Sequence, residues 1–178
     1  MSQHRCALAV ALTLACAGCG GGAQTPTNPG AGVVGTPVPN EGWAHVSVGT
    51  PVTYRSNPPA SGPHYPAWAR YQEYTSPVER PYWVHNIEHG AIVLLYRPDV
   101  PPATVAALVG AFRALPADPA CGHARTLVTP DPLLPRPVAA VAADWVLTAD
   151  GVYAVAIREF ALVHRNRAPE DVCASGSR

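Results

Sequence analysis

The hydrophobic pattern along the chain predicts a small number of short elements. Ala91 to Tyr96 (Ala-Ile-Val-Leu-Leu-Tyr) is continuously apolar, which predicts a central strand buried on both faces. Pro101-Pro102 then opens a helix over residues 102–115, with Val105, Leu108, Val109 and Phe112 at helical spacing. Thr126 to Thr129 reads as a strand, and Pro137 to Leu147 as one more. Tyr153 to Arg165 reads as an amphipathic helix carrying Val155, Phe160 and Val163. Upstream, Val46-Ser47-Val48 and Val52-Thr53-Tyr54 alternate around Gly49-Thr50-Pro51 and predict two short strands. Between them and the central strand, prolines at 58, 59, 63, 66, 77 and 81 forbid regular structure over much of the segment. The pattern is that of one small α+β domain, a short sheet with helices on one face and one long Pro-rich ordered loop. Aromatics gather on that loop (Tyr65, Trp68, Tyr71, Tyr74, Tyr82, Trp83), either to cover the core or to line a ligand groove.

The N-terminal pattern is different. Arg5 precedes an apolar run from Ala7 to Ala15, broken only by Thr13. A bilayer span needs about 20 apolar residues, so the run reads as a secretory signal over 1–18. It ends in Cys16-Ala17-Gly18-Cys19, which resembles the lipobox of bacterial lipoproteins, although Cys16 stands where leucine is usual. The expectation is a lipidated Cys19, with acyl chains anchoring the protein at about 0.8 kcal/mol per buried methylene. Gly20 after the cysteine implies an outer-membrane, periplasm-facing location. Ordinary cleavage and secretion of a soluble protein is the alternative. Gly20 to Asn40 is uncharged and rich in Gly, Pro, Thr and Ala, and reads as a flexible tether over 19–40. The globular domain is then expected over 41–173, with a disordered tail at 174–178.

Charge excludes some functions. Twelve arginines, no lysine and twelve acidic residues balance, and the arginines are scattered. No basic stripe suits nucleic acid and no polybasic patch suits a membrane surface. Of five cysteines, Cys6 and Cys16 leave with the signal and Cys19 takes the lipid. Cys121 and Cys173 remain, and in an oxidising compartment the simplest expectation is a disulfide. The alternative is that one of them ligates a metal.

The chemistry-bearing segment is His85-Asn86-Ile87-Glu88-His89-Gly90, preceded by the loop ending in His64. His85 and His89 share a face on a helix or on a strand. With His64 they offer three imidazoles, suited to copper or zinc. Glu88 would then sit behind the ligands, orienting an imidazole N–H. A second reading is a metal-dependent hydrolase with Glu88 as general base, in the order His-x-x-Glu-His. Its extra acid would be Glu159. A helix through 84–89 with Glu88 facing the histidines would favour it, but Gly90 and the β-branched run after it limit any helix to a turn or two. A third reading is a non-enzymatic envelope interaction module with structural histidines. Convergence of the histidine nitrogens within about 4–5 Å, the span a metal's ligands occupy, favours the first two over the third. His45, His123 and His164 read as surface or structural residues. Ser61 and Asn57 read as turn residues.

The segments Pro58-Pro59-Ala60-Ser61-Gly62-Pro63-His64 and Val84-His85-Asn86-Ile87-Glu88-His89-Gly90, with the aliphatic strand ending in Tyr96 and the late Ala168-Pro169-Glu170, resemble the domain of unknown function 3105 family over roughly residues 44–173. Its members are commonly exported or membrane-tethered. The resemblance groups His64, His85, Glu88 and His89 as one site and implies no particular activity. Ala143-Asp144-Trp145 departs from an expected Ala-Trp-Gly-like strand, which leaves the role of Asp144 open.

Overall fold

A computed structural model describes residues 34–178. The expected signal, the lipidated Cys19 and the tether as far as residue 33 lie outside the described residues. The elements in chain order are β1 (Thr36–Pro37), α1 (Arg80–Glu88), β2 (Ile92–Tyr96), α2 (Pro102–Arg113), β3 (Thr126–Pro130), β4 (Val138–Ala142), β5 (Trp145–Ala149) and α3 (Ala154–His164). The strands form one mixed sheet in the order β1-β5-β4-β2-β3. Only β2 and β3 are parallel, and α2 makes the crossover between them.

The continuous apolar run of β2 makes it central, because neither face of such a strand can meet water. Alternation splits its residues between two cores. Ile92, Leu94 and Tyr96 pack with Leu108 and Ala111 of α2 and with Ile157 and Phe160 of α3. Val93 and Leu95 pack on the other face with Trp83, Val84 and Ile87 of α1. The α+β class is as expected, and α2 and α3 share one face. The third helix, α1, lies on the opposite face beneath the Pro-rich loop.

Three local expectations change. Residues 46–54 form no strand; the only ladder contact there is a bridge between His45 and His64. Pro51 lacks an N–H, and the backbone that pairs with the 62–64 loop is that of residues 42–46 just before this segment. Residues 137–149 hold two strands instead of one, joined by a tight turn at Ala143-Asp144. Asp144 takes φ 62° there, and its carboxylate accepts from Asn40 Nδ2 at 2.8 Å. It is a turn residue, since Asp tolerates the left-handed region better than most. Finally, the domain reaches beyond 41–173. Thr36 and Pro37 pair with Val146 and Trp145, and Val34 packs on the core. At the other end, Ala174 O accepts from Trp68 Nε1 at 3.1 Å, and the backbone of Arg178 bonds to that of Trp68 and Arg70. Gly, Pro and Ser carry no periodicity, so these docked ends look like a tether and a tail in the sequence.

Candidate metal centre

The centre is built on α1. Pro81 stands in its first turn, where a missing N–H leaves nothing unsatisfied. From Pro81 to Glu88 every residue is buried, because the sheet covers one side of α1 and the Pro-rich loop the other. Gly90, at φ 80°, then turns the chain into β2, in a conformation glycine adopts at little cost.

His85 and His89, one helical turn apart, bring their Nε2 atoms to 3.1 Å. His64 arrives from the loop and is fully buried. Its backbone is pinned to a neighbouring segment, with His64 N–H donating to Ala44 O at 3.0 Å and Val46 N–H to His64 O at 2.8 Å. That pairing carries His45 into the site. Glu88 Oε2 then faces three imidazoles, at 2.9 Å from His64 Nε2, 3.8 Å from His85 Nε2 and 3.9 Å from His45 Nε2. One donor atom from each of His45, His64, His85 and Glu88 lies within 4.8 Å of the others. Zinc–nitrogen bonds of about 2.0–2.1 Å in a tetrahedron separate ligand atoms by about 3.3 Å. The observed separations bracket that value.

Tautomers follow from the partners. His64 Nδ1 lies 2.9 Å from Gly62 O, and His85 Nδ1 lies 2.6 Å from Tyr65 O. A carbonyl only accepts, so each Nδ1 carries the proton and donates. With Nδ1 so occupied, the Nε2 atoms are the free ring positions: that of His64 stands 2.9 Å from Glu88 Oε2, and that of His85 stands 3.1 Å from His89 Nε2 and 3.8 Å from Glu88 Oε2. Backbone carbonyls that hold the remote nitrogen of a histidine in this way are typical of metal ligands. Burial also pushes the His85 pKa down to about 4, with the other histidines adding to the effect. Burial likewise lowers His89, opposed by Glu170. Burial raises Glu88, with His64 pulling it back and Glu170 adding to the rise. His64 Nε2 and Glu88 Oε2 are buried and have no hydrogen-bond partner among the described residues. At 2.9 Å the two atoms need a positive centre between them, which a shared proton or a metal cation supplies.

Around this floor stand two half-exposed rims, with the His45 and Glu170 side chains each 53 % exposed. Glu170 Oε2 lies 3.1 Å from His89 Nε2. It rides on a C-terminal strap whose Glu170 N–H donates to Glu88 O at 3.1 Å. The strap is tied by a disulfide between Cys121 and Cys173, whose Cα atoms are 5.2 Å apart. Buried Arg125 bonds His89 O, Val172 O and the Asp118 carboxylate, and so fixes the strap to the end of α1. Trp68 packs against both His85 and His89.

The structure thus brings His64, His85, His89 and Glu88 into one cluster. His89 joins a second group with Glu88 and Glu170, not the group of His45, His64 and His85. Glu88 was expected to orient an imidazole N–H; carbonyls hold the Nδ1 atoms of His64 and His85, and Glu88 faces their Nε2 side. His45 and Glu170 escaped the sequence reading as site residues. No spacing marks His45, which enters through a backbone bridge, and Glu170 was visible only within the Ala-Pro-Glu segment. Glu159 is not in either group; it lies on α3, across the sheet. Neither Cys121 nor Cys173 is a ligand. Ser61 is a turn residue whose Oγ accepts from Glu41 N–H at 2.8 Å. Asn57 braces the loop through Leu133 O. His164 binds Val34 O at 2.7 Å and is structural.

Fold and site together define a single α+β domain with a mixed sheet and a buried histidine–carboxylate cluster able to hold a metal ion. The chain belongs to the family described as Protein of unknown function (DUF3105), which matches residues 45–176. Comparison with curated proteins and with solved structures found no match.

Proposed function

We propose that this protein is a cell-envelope lipoprotein that binds a copper or zinc ion through His45, His64, His85 and Glu88. The observation that carries the metal reading is the pair of imidazoles locked through Nδ1 by Gly62 O and Tyr65 O, which leaves their Nε2 atoms 2.9 and 3.8 Å from the buried Glu88 Oε2. Three nitrogens and one oxygen suit either ion. His64, His85 and His89 were the ligands expected from sequence; the distances favour His45 over His89 at this position. The anchor rests on the residue pattern up to Cys19.

The test is metal analysis of the exported full chain, purified without a histidine tag, beside His64→Ala and His85→Ala. About one equivalent of copper or zinc, lost in folded variants, is the expected result. A metal-free protein that takes up neither ion on titration overturns the reading in favour of an interaction module with structural histidines. Radiolabelled palmitate incorporated by the wild type and not by Cys19→Ala tests the anchor.

One observation favours a second reading, a metal-dependent hydrolase. The segment through Glu88 is helical, and Glu88 faces the histidine cluster, the condition set for a general base. Its 2.9 Å approach to His64 Nε2 supports a ligand role instead. Zinc-dependent cleavage of peptide or ester substrates, abolished in Glu88→Gln with zinc still bound, would replace the first reading.

A further inference from the structure

We infer that the cluster holds a second divalent cation beside the first, bound by His89 and Glu170 with Glu88 shared between the two positions. This rests on the metal reading above and extends it. The donors form one row, from His45 at one half-exposed rim to Glu170 at the other. His64, Glu88, His85 and His89 form a floor between them, none more than 6 % exposed at the side chain. His85 Nε2, the nitrogen not held by Tyr65 O, belongs to the group of the first position. His89 Nε2, 3.1 Å from it, faces Glu170 Oε2 at 3.1 Å. Glu88, His89 and Glu170 each bring a donor atom within 4.8 Å of the others.

Three further observations support this position. Two carboxylates converge on one buried imidazole, and the guanidinium that ties down the strap, Arg125, is taken up by Asp118, Asp171, Asn166 and the carbonyls of His89 and Val172. His89 is 3 % exposed, and its Nδ1 has no partner among the described residues. Its polar contacts therefore all run through Nε2. The strap is also built to stay. The Cys121–Cys173 disulfide and the Glu170 N–H to Glu88 O bond fix the residue that completes the site. A carboxylate shared between two ions, with nitrogen and carboxylate ligands at the outer one, is a common arrangement of paired divalent cations.

The experiment is titration of the oxidised, full-length, metal-stripped protein with zinc chloride. Stoichiometry is read beside His89→Ala, Glu170→Gln and His64→Ala, and each variant's fold is checked by circular dichroism. The expected result is two equivalents in the wild type and one in Glu170→Gln and His89→Ala. Glu170 is half exposed, so its variant keeps the measurement decisive if His89→Ala fails to fold. Loading with copper(II) gives a second readout. The paramagnetic signal after two equivalents should fall well below twice that after one, because ions sharing a carboxylate couple their spins. One equivalent in the wild type overturns the second position and leaves the first standing. Two equivalents that survive in Glu170→Gln, or a copper signal that simply doubles, also overturn it. No binding at all removes both readings.

Discussion

Replacing Glu88 with glutamine should have opposite effects on the metal-free and metal-loaded protein. Without metal, the Glu88 carboxylate oxygen faces His64 Nε2 at 2.9 Å, in a site where its side chain is 6 % exposed. A glutamine in the same rotamer presents an amide N–H to that nitrogen. It also removes a carboxylate charge that burial disfavours. One new buried hydrogen bond contributes about 0.5–1.5 kcal/mol. For a domain of this size that raises Tm by about 2–5 °C. With metal, the same change removes an anionic ligand. A ligand at 100 times its Kd stabilises by about 2.7 kcal/mol, so wild type should gain about 8 °C on adding zinc. Most of that gain should disappear in Glu88→Gln at the same zinc concentration. The assay is thermal unfolding by circular dichroism, in chelator and in excess zinc. A variant that melts lower than wild type in chelator and keeps the full zinc shift would refute both the cost of burying the Glu88 charge and its role as ligand.

Gly90→Ala should destabilise by about 1–3 kcal/mol by equilibrium denaturation, because φ is 80° and an added Cβ would lie 3.0 Å from Asn166 Cα; an unchanged midpoint would contradict the close approach. Cys121→Ser with Cys173→Ser opens a link spanning 52 residues, for which chain entropy sets an upper loss of about 4 kcal/mol, measured as the difference in unfolding free energy from the oxidised wild type. Burial lowers the pKa values of His85, His89 and His164, so the unfolded chain binds more protons. Metal-free stability should therefore be fully present above pH 6.5 and decline as the pH falls from there toward about 4, where His85 titrates in the fold. A flat denaturation midpoint across that window would show that these rings are solvated.

Much of the fold was legible in the residues themselves. The six-residue apolar run ending at Tyr96 can only be a strand covered on both faces, and the helical spacing of Val105, Leu108 and Phe112 needs no partner to be read. The cysteine pair followed from counting. Placement of α1 was not legible. A helix buried all round has no polar stripe to reveal it, and the flanking prolines and glycine suggest a loop. The turn at Ala143-Asp144 hid a hairpin because Asp144 is a single turn-favouring residue, with no glycine or proline beside it to mark the break.

The candidate site divides along similar lines. His85, Glu88 and His89 are neighbours by local geometry, so the sequence alone sets their grouping, and the stiff loop before His64 makes a third imidazole plausible. Spacing along a chain cannot say which lone pair points where. The Nε2 atoms of His64 and His85 are the free ring positions because two carbonyls, Gly62 O and Tyr65 O, hold the opposite nitrogens. His45 joins through a backbone bridge to a segment 19 residues away. Glu170 is delivered by a strap fastened to Cys121 and Arg125. Residue types and local periodicity determine which donors the chain carries and which of them are adjacent. Long-range backbone pairing, a disulfide and a buried guanidinium decide which donors meet, because these contacts join positions whose separation no local energy term can sense.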